Sequence, residues 1–213
     1  MRTEPYWHAS VGKNAAHAQA EEQILVNVDG DNMIGAGFLR NVCDKFAAGD
    51  CAVAQYELGQ GTCGRIALRR DTFWELGGYD EDAYPMGCQD TDLVLRVKML
   101  NRGRHVKVRD PTFSQAISNT QEQKIENCDP QLGFKKWGQM NEKNRQKFLQ
   151  RRSNGEIRRN QAAGTMGVAL VWHRYVDGEC RQKSLDIARL KVDPVPKPPV
   201  EAPQEPELII EEC

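Results

Sequence analysis

The chain has 213 residues, a formal net charge of -1, 39% hydrophobic residues and 28% charged residues. That composition accommodates a full-sized domain with a buried core. The near-zero charge excludes a general electrostatic pull toward nucleic acid or a membrane surface, and no run approaches the ~18 consecutive apolar residues that a membrane span needs.

The first element expected is a short helix over residues 11–22, rich in Ala, Gln and Glu. Ile24-Leu25-Val26-Asn27-Val28 follows as an apolar, β-branched run and predicts a buried strand. It stops at Asp29-Gly30-Asp31-Asn32, a cluster of turn formers. Residues 36–48 return to helical spacing, with Phe38, Val42 and Phe46 on one face. Cys51 to Tyr56 predicts a strand, residues 59–64 a glycine-rich loop, and Ile66 to Leu68 another strand. Asp71 to Leu76 predicts a helical turn stopped by Gly77-Gly78.

Asp90 to Asn101 is a well-marked helix. Asp90 and Asp92 lie in its first turn, Leu93, Val97 and Leu100 form its apolar stripe, and Gly103 follows as a stop. Val106-Lys107-Val108 predicts a strand that ends before Pro111. Residues 134–160 are helical and basic, with nine Lys or Arg against Glu142 and Glu156. They read as a solvated face, as a face that meets the acidic tail, or as a lid clamping phosphates. Stacking aromatics are too sparse there for a nucleic-acid partner. Met166 to Val176 predicts a strand or hairpin arm. From about residue 192, prolines and glutamates dominate and predict a disordered tail. The seven cysteines include no CxxC pair, which speaks against a structural zinc site.

The expected organisation is therefore a motif-bearing region at 1–118, a helical and strand extension at 119–191 that completes the domain, and a tail at 192–213. Alternating strands and helices predict an α/β architecture with a mainly parallel sheet. Ligands of such sheets sit at the carboxyl ends of the strands, which is where Asp29 and Asp31 fall.

Two constellations carry chemistry. Asp29-Gly30-Asp31 sets two carboxylates on one turn, a pattern suited to Mg2+ or Mn2+ with room left for phosphate oxygens. Gly77-Gly78-Tyr79-Asp80-Glu81 leads to Gln89-Asp90-Thr91-Asp92-Leu93. Asp90 and Asp92 there serve either as helix-capping acids or, for Asp90, as a general base. A helix N-terminus is expected to hold the Asp90 pKa low.

In this order, and with Lys13-Asn14 before them, these segments resemble the GT-A glycosyltransferases, in particular the family-2 type and the galactosyltransferase-like C-terminal region. The likeness covers roughly residues 10–110. It implies a GT-A-like, partial Rossmann-type sheet flanked by helices, and metal-assisted transfer of a sugar from a nucleotide-diphosphate donor, with UDP-sugar favoured, to a glycan or other hydroxyl acceptor with inversion. Under that likeness Asp29 and Asp31 hold the Mn2+ or Mg2+ and the donor diphosphate, while Lys13, Asn14 and Arg65 approach the donor. Asp90 is the catalytic base, and Gly78, Tyr79, Gln89 and Asp92 shape the acceptor pocket. Three departures accompany it. The opening strand–helix–strand unit of such enzymes is not recognisable, Gln89 stands where the family has Glu, and only His105 and His173 are candidates for a further metal ligand. The alternatives are a non-catalytic GT-A remnant acting as a binding or scaffold module, and a two-metal phosphoryl-transfer enzyme, which the loop at 59–64 does not support because it lacks GxxxxGK[ST]. With neither a signal nor a membrane segment read in the sequence, a cytoplasmic location is expected, or the Golgi if an anchor precedes the chain.

Overall fold

The computed structural model describes residues 6–58, 62–113 and 115–160, together with the backbone of 171–176 and 179–184. The tail expected at 192–213 lies outside the described residues.

The chain forms α1 (Ala9–Ala18), β1 (Ile24–Asn27), β2 (Asn32–Met33), α2 (Phe38–Ala47), β3 (Cys51–Tyr56), β4 (Ile66–Arg69), α3 (Arg70–Glu75), α4 (Gln89–Leu100), β5 (Arg104–Val108), β6 (Gln115–Ala116) and α5 (Trp137–Ser153). A final hairpin pairs β7 (Val171–Val176) with β8 (Glu179–Ser184). The protein is thus a mixed α/β fold, and among the described residues no helix is long and apolar enough to cross a membrane.

The central sheet has the order β1-β4-β3-β5. The expectation of a mainly parallel sheet is corrected here. β4 runs antiparallel to both β1 and β3, and only the β3–β5 pairing is parallel. β1, β3 and β5 consequently point the same way, with β4 reversed between β1 and β3. Periodicity cannot reveal this, because a strand buried on both faces reads the same in either direction.

Side-chain alternation splits the sheet into two cores. Ile66 and Leu68 of β4 face one side, joined by Leu25, Val53, Phe73, Leu76 and the Leu93/Val97 stripe of α4. Ala67 faces the other, with Ala54, Tyr56 and the Phe38, Val42 and Phe46 face of α2. The helical spacing read at 36–48 therefore marks the buried face. α5 adds the fully buried Asn144, whose Nδ2 donates to the carbonyls of Tyr84, Met86 and Gly87. That side chain satisfies backbone groups that the irregular 84–87 segment cannot pair within itself.

Candidate functional site

The direction of β4 builds the site. Because β4 is reversed, its start meets the end of β1 at the edge where β1, β3 and β5 finish. Asn27, the buried last residue of β1, ties the two together: its Nδ2 donates to the Gly64 carbonyl at 2.7 Å and to Asp29 Oδ1 at 3.1 Å. Gly64 lets the Asp29 carboxylate sit against the backbone, since a Cβ there would lie 2.1 Å from Asp29 Oδ2 and push that side chain aside.

Lys13, on α1, reaches into this edge. Its Nζ donates to Asp29 Oδ1 at 2.9 Å and to Asp90 Oδ1 at 2.7 Å. The ammonium also lies 5.3 Å from the Tyr79 ring centroid, within cation–π range. The three side chains keep some solvent contact, with exposures of 12% for Lys13, 31% for Asp29 and 20% for Asp90. Two carboxylates distant in sequence thus converge on one ammonium.

Asp90 owes its place to the two residues that precede α4. Gly87 has φ +105° and Cys88 φ +60°. The latter is a left-handed conformation uncommon outside glycine. A Cβ at Gly87 would lie 2.6 Å from the Asn141 Cα, so this turn also fits closely against α5. The expectation of a low Asp90 pKa is corrected. Burial, with the Asp29 charge as a further raising influence, lifts the Asp90 carboxyl above the ordinary aspartate value despite the opposing pull of Lys13. Burial works against the Lys13 ammonium, but Asp90 and Asp29 outweigh it and hold its pKa above the ordinary value.

Other residues singled out in the sequence have partners within the protein. Asp31 turns to amides, with Oδ1 accepting from Asn32 at 2.7 Å and Oδ2 from Asn119 at 2.6 Å. Arg65 is committed to the backbone. It is fully buried and donates to the carbonyls of Phe113 and Gln115, anchoring the segment that follows β5. Asn14 is also fully buried, and its carboxamide pairs with both backbone groups of Tyr79. The expected acceptor residues are likewise built into the framework. Tyr79 is fully buried, Gln89 donates to the Tyr84 and Pro85 carbonyls, and the Gly78 carbonyl accepts from Arg96. Asp92, 1% exposed, meets Arg96 at 2.7 Å, Arg152 at 3.2 Å and Arg159 at 3.5 Å. His105 sits on β5 among Lys98, Lys107 and Glu57, where burial and the two lysines push its pKa down to about 4. Of His173, only the backbone position on β7 is described.

In the basic stretch Lys135, Lys136, Lys143, Arg145 and Arg158 are exposed, as a solvated face requires, while three arginines turn to acids of the fold. Arg151 pairs with Asp80 and Asp82, while Arg152 and Arg159 pair with Asp92. These guanidiniums brace the loop between α3 and α4 and the first turn of α4.

A divalent ion held by Asp29 and Asp31 requires oxygens from both directed at one point with lone pairs to give. Asp29 Oδ1 already accepts from an ammonium and an amide, its Oδ2 lies against Gly64, and both Asp31 oxygens accept from amides. Among the described residues no three His, Cys, Asp or Glu side chains gather in a way that could hold a metal. Asp29 and Asp31 are thus committed to protein donors here, and a divalent ion would have to share or displace them. Sequence reasoning missed Asn27 and Gly64. The signal for Gly64 was present as the last glycine of the 59–64 loop, but its partner depends on strand order. A scan of the sequence against protein-family models finds no match, and a search of curated proteins finds none.

Proposed function

We propose that the protein transfers a sugar from a nucleotide-diphosphate donor to a hydroxyl acceptor, with Asp90 as the general base. What supports the reading is the convergence of Asp29, at the carboxyl end of β1, and Asp90, at the head of α4, on the Lys13 ammonium. Open α/β sheets bind ligands at that edge. The partial exposure of all three groups leaves them within reach of a substrate. In the reaction, the acceptor oxygen attacks the anomeric carbon as the bond from that carbon to the diphosphate breaks. Asp90 takes the hydroxyl proton, and the nucleoside diphosphate leaves with the bonding electrons. A carboxyl group raised above its ordinary pKa is the stronger base for this step.

The experiment is transfer from a panel of UDP-sugars to simple glycosides, followed by product chromatography. Asp90→Asn is expected to abolish transfer while leaving UDP affinity within about threefold, since it removes only the proton acceptor. Failure of the wild-type protein to bind any nucleotide sugar would sink the reading. One observation favours the remnant alternative: Asp90 is engaged by an ion pair. Donor binding without transfer to any acceptor would decide for that alternative.

A further inference from the structure

The Asp29/Asp90 edge carries a positive charge of its own. Lys13 Nζ lies within 3 Å of one oxygen from each carboxylate, at 2.9 and 2.7 Å, the position a small cation would take between two acids. We infer that the Lys13 ammonium is the resident cation of this site and keeps a divalent ion out of the space between Asp29 and Asp90. This deepens the sugar-transfer reading and rests on it only for its consequence, that the reaction needs no divalent ion.

The physical argument is a displacement. For a divalent ion to bridge the two carboxylates, the ammonium must give up two charge-assisted hydrogen bonds. It must then find another partner from a position where its side chain is only 12% exposed. An unpaired ammonium in such surroundings is costly. Around it stand the Tyr79 ring and the buried, uncharged ring of His17, neither of which replaces a carboxylate. Removing the lysine inverts the balance. Asp29 and Asp90 would then stand with no cation between them, a pair of acids whose repulsion a divalent ion at neutral pH, or a proton at lower pH, relieves.

The test is Mn2+ titration of the whole chain, followed by the electron paramagnetic resonance signal of the free ion. Wild type and Lys13→Arg are expected to leave the signal of submillimolar Mn2+ unchanged. Lys13→Ala and Lys13→Gln, checked for folding by circular dichroism, are expected to bind it at least tenfold more tightly. Adding Asp90→Asn to Lys13→Ala is expected to cancel that gain. Wild type binding Mn2+ as tightly as Lys13→Ala would overturn the inference, as would a Lys13→Ala gain that survives Asp90→Asn.

A parallel titration with UDP, in EDTA and in Mn2+, separates this inference from the functional reading. Equal affinity in the two media supports the inference, and a Mn2+ requirement overturns it while sugar transfer stands. Absence of UDP binding in both media, with the Mn2+ results as expected, sinks the sugar-transfer reading and leaves the assignment of Lys13 intact.

Discussion

Asn14 and Asn160, far apart in the chain, donate to the same carbonyl. The Nδ2 of each reaches Tyr79 O, at 2.8 and 2.7 Å respectively. Asn14 Oδ1 also accepts the Tyr79 N–H, and Asn160 adds the Gly77 carbonyl and the Glu81 N–H. The Gly77–Glu81 segment lies in neither a helix nor a strand, so these side chains supply backbone partners that secondary structure would otherwise provide. Asn160 takes up φ +54°, a conformation asparagine tolerates better than most residues.

Asn14→Ala strips the Tyr79 N–H of its acceptor inside the core. A loss of about 2–3 kcal/mol in urea unfolding is expected, the cost of leaving buried polar groups unpaired. Asn160→Ala should cost less, because Asn14 still holds the shared carbonyl. The double variant should lose more than the sum of the singles, as expected of residues with a shared partner. Strict additivity would show that the two asparagines act independently.

Asp90 and Asp92 sit two positions apart in one helical turn and are expected to answer substitution very unequally. Asp92→Asn removes the charge facing Arg96, Arg152 and Arg159. Breaking a buried pair from one side costs about 3–5 kcal/mol. Asp90→Asn removes a carboxylate whose ionised form burial already disfavours, and Lys13 keeps Asp29. Its stability should change by less than about 1 kcal/mol. Thermal unfolding of the two variants side by side checks the contrast.

That contrast also marks what the sequence made legible. The helix at 36–48 and its buried face could be read from local periodicity, because Phe38, Val42 and Phe46 meet the sheet wherever the rest of the chain goes. Asp90 and Asp92 could not be told apart locally, since both are acids in a helical first turn. What separates them is Arg152 and Arg159, which arrive from a stretch whose charge alone looks like a solvated surface. The seating of Asp29 against Gly64 depends likewise on the reversed β4, which no periodicity encodes.

The packing of Gly64 against Asp29 predicts that Gly64→Ala displaces the Asp29 carboxylate, because the new methyl would lie 2.1 Å from its Oδ2. The backbone of Gly64 already accepts from Asn27, so the carboxylate must give way. If the proposed reaction holds, kcat/KM should fall by about tenfold or more, as small misplacements in a site do. Far-ultraviolet circular dichroism should stay unchanged. Full activity with an intact fold would show that Asp29 need not hold its present position.

The pH dependence of the proposed reaction follows from what surrounds Asp90. The base must be ionised, so kcat/KM should fall as the pH drops through the Asp90 pKa, and this limb should lie above the ordinary aspartate value of 3.8. Asp29 pushes that pKa up and Lys13 pulls it down. Asp29→Asn should therefore move the limb to lower pH and Lys13→Met to higher pH. Shifts of one sign for both variants would contradict the geometry.

Stability should depend on pH through His17. This ring is 6% exposed, its centroid is 4.8 Å from that of Phe73, and its Nε2 has no hydrogen-bond partner among the described residues. Burial, reinforced by the Lys13 charge, lowers its pKa from 6.5 to about 4. Between those values the unfolded chain binds a proton that the folded chain refuses. The His17 contribution is therefore present above pH 6.5 and is lost as the pH falls toward 4, by up to about 3 kcal/mol. His105 acts with the same sign, since its pKa is also lowered to about 4. His17→Phe keeps an aromatic ring against Phe73 but cannot titrate, so it should flatten the urea midpoint between pH 6.5 and 4 without abolishing the slope. An unchanged slope in that variant would place the His17 ring in a solvated environment, contrary to its burial against Phe73.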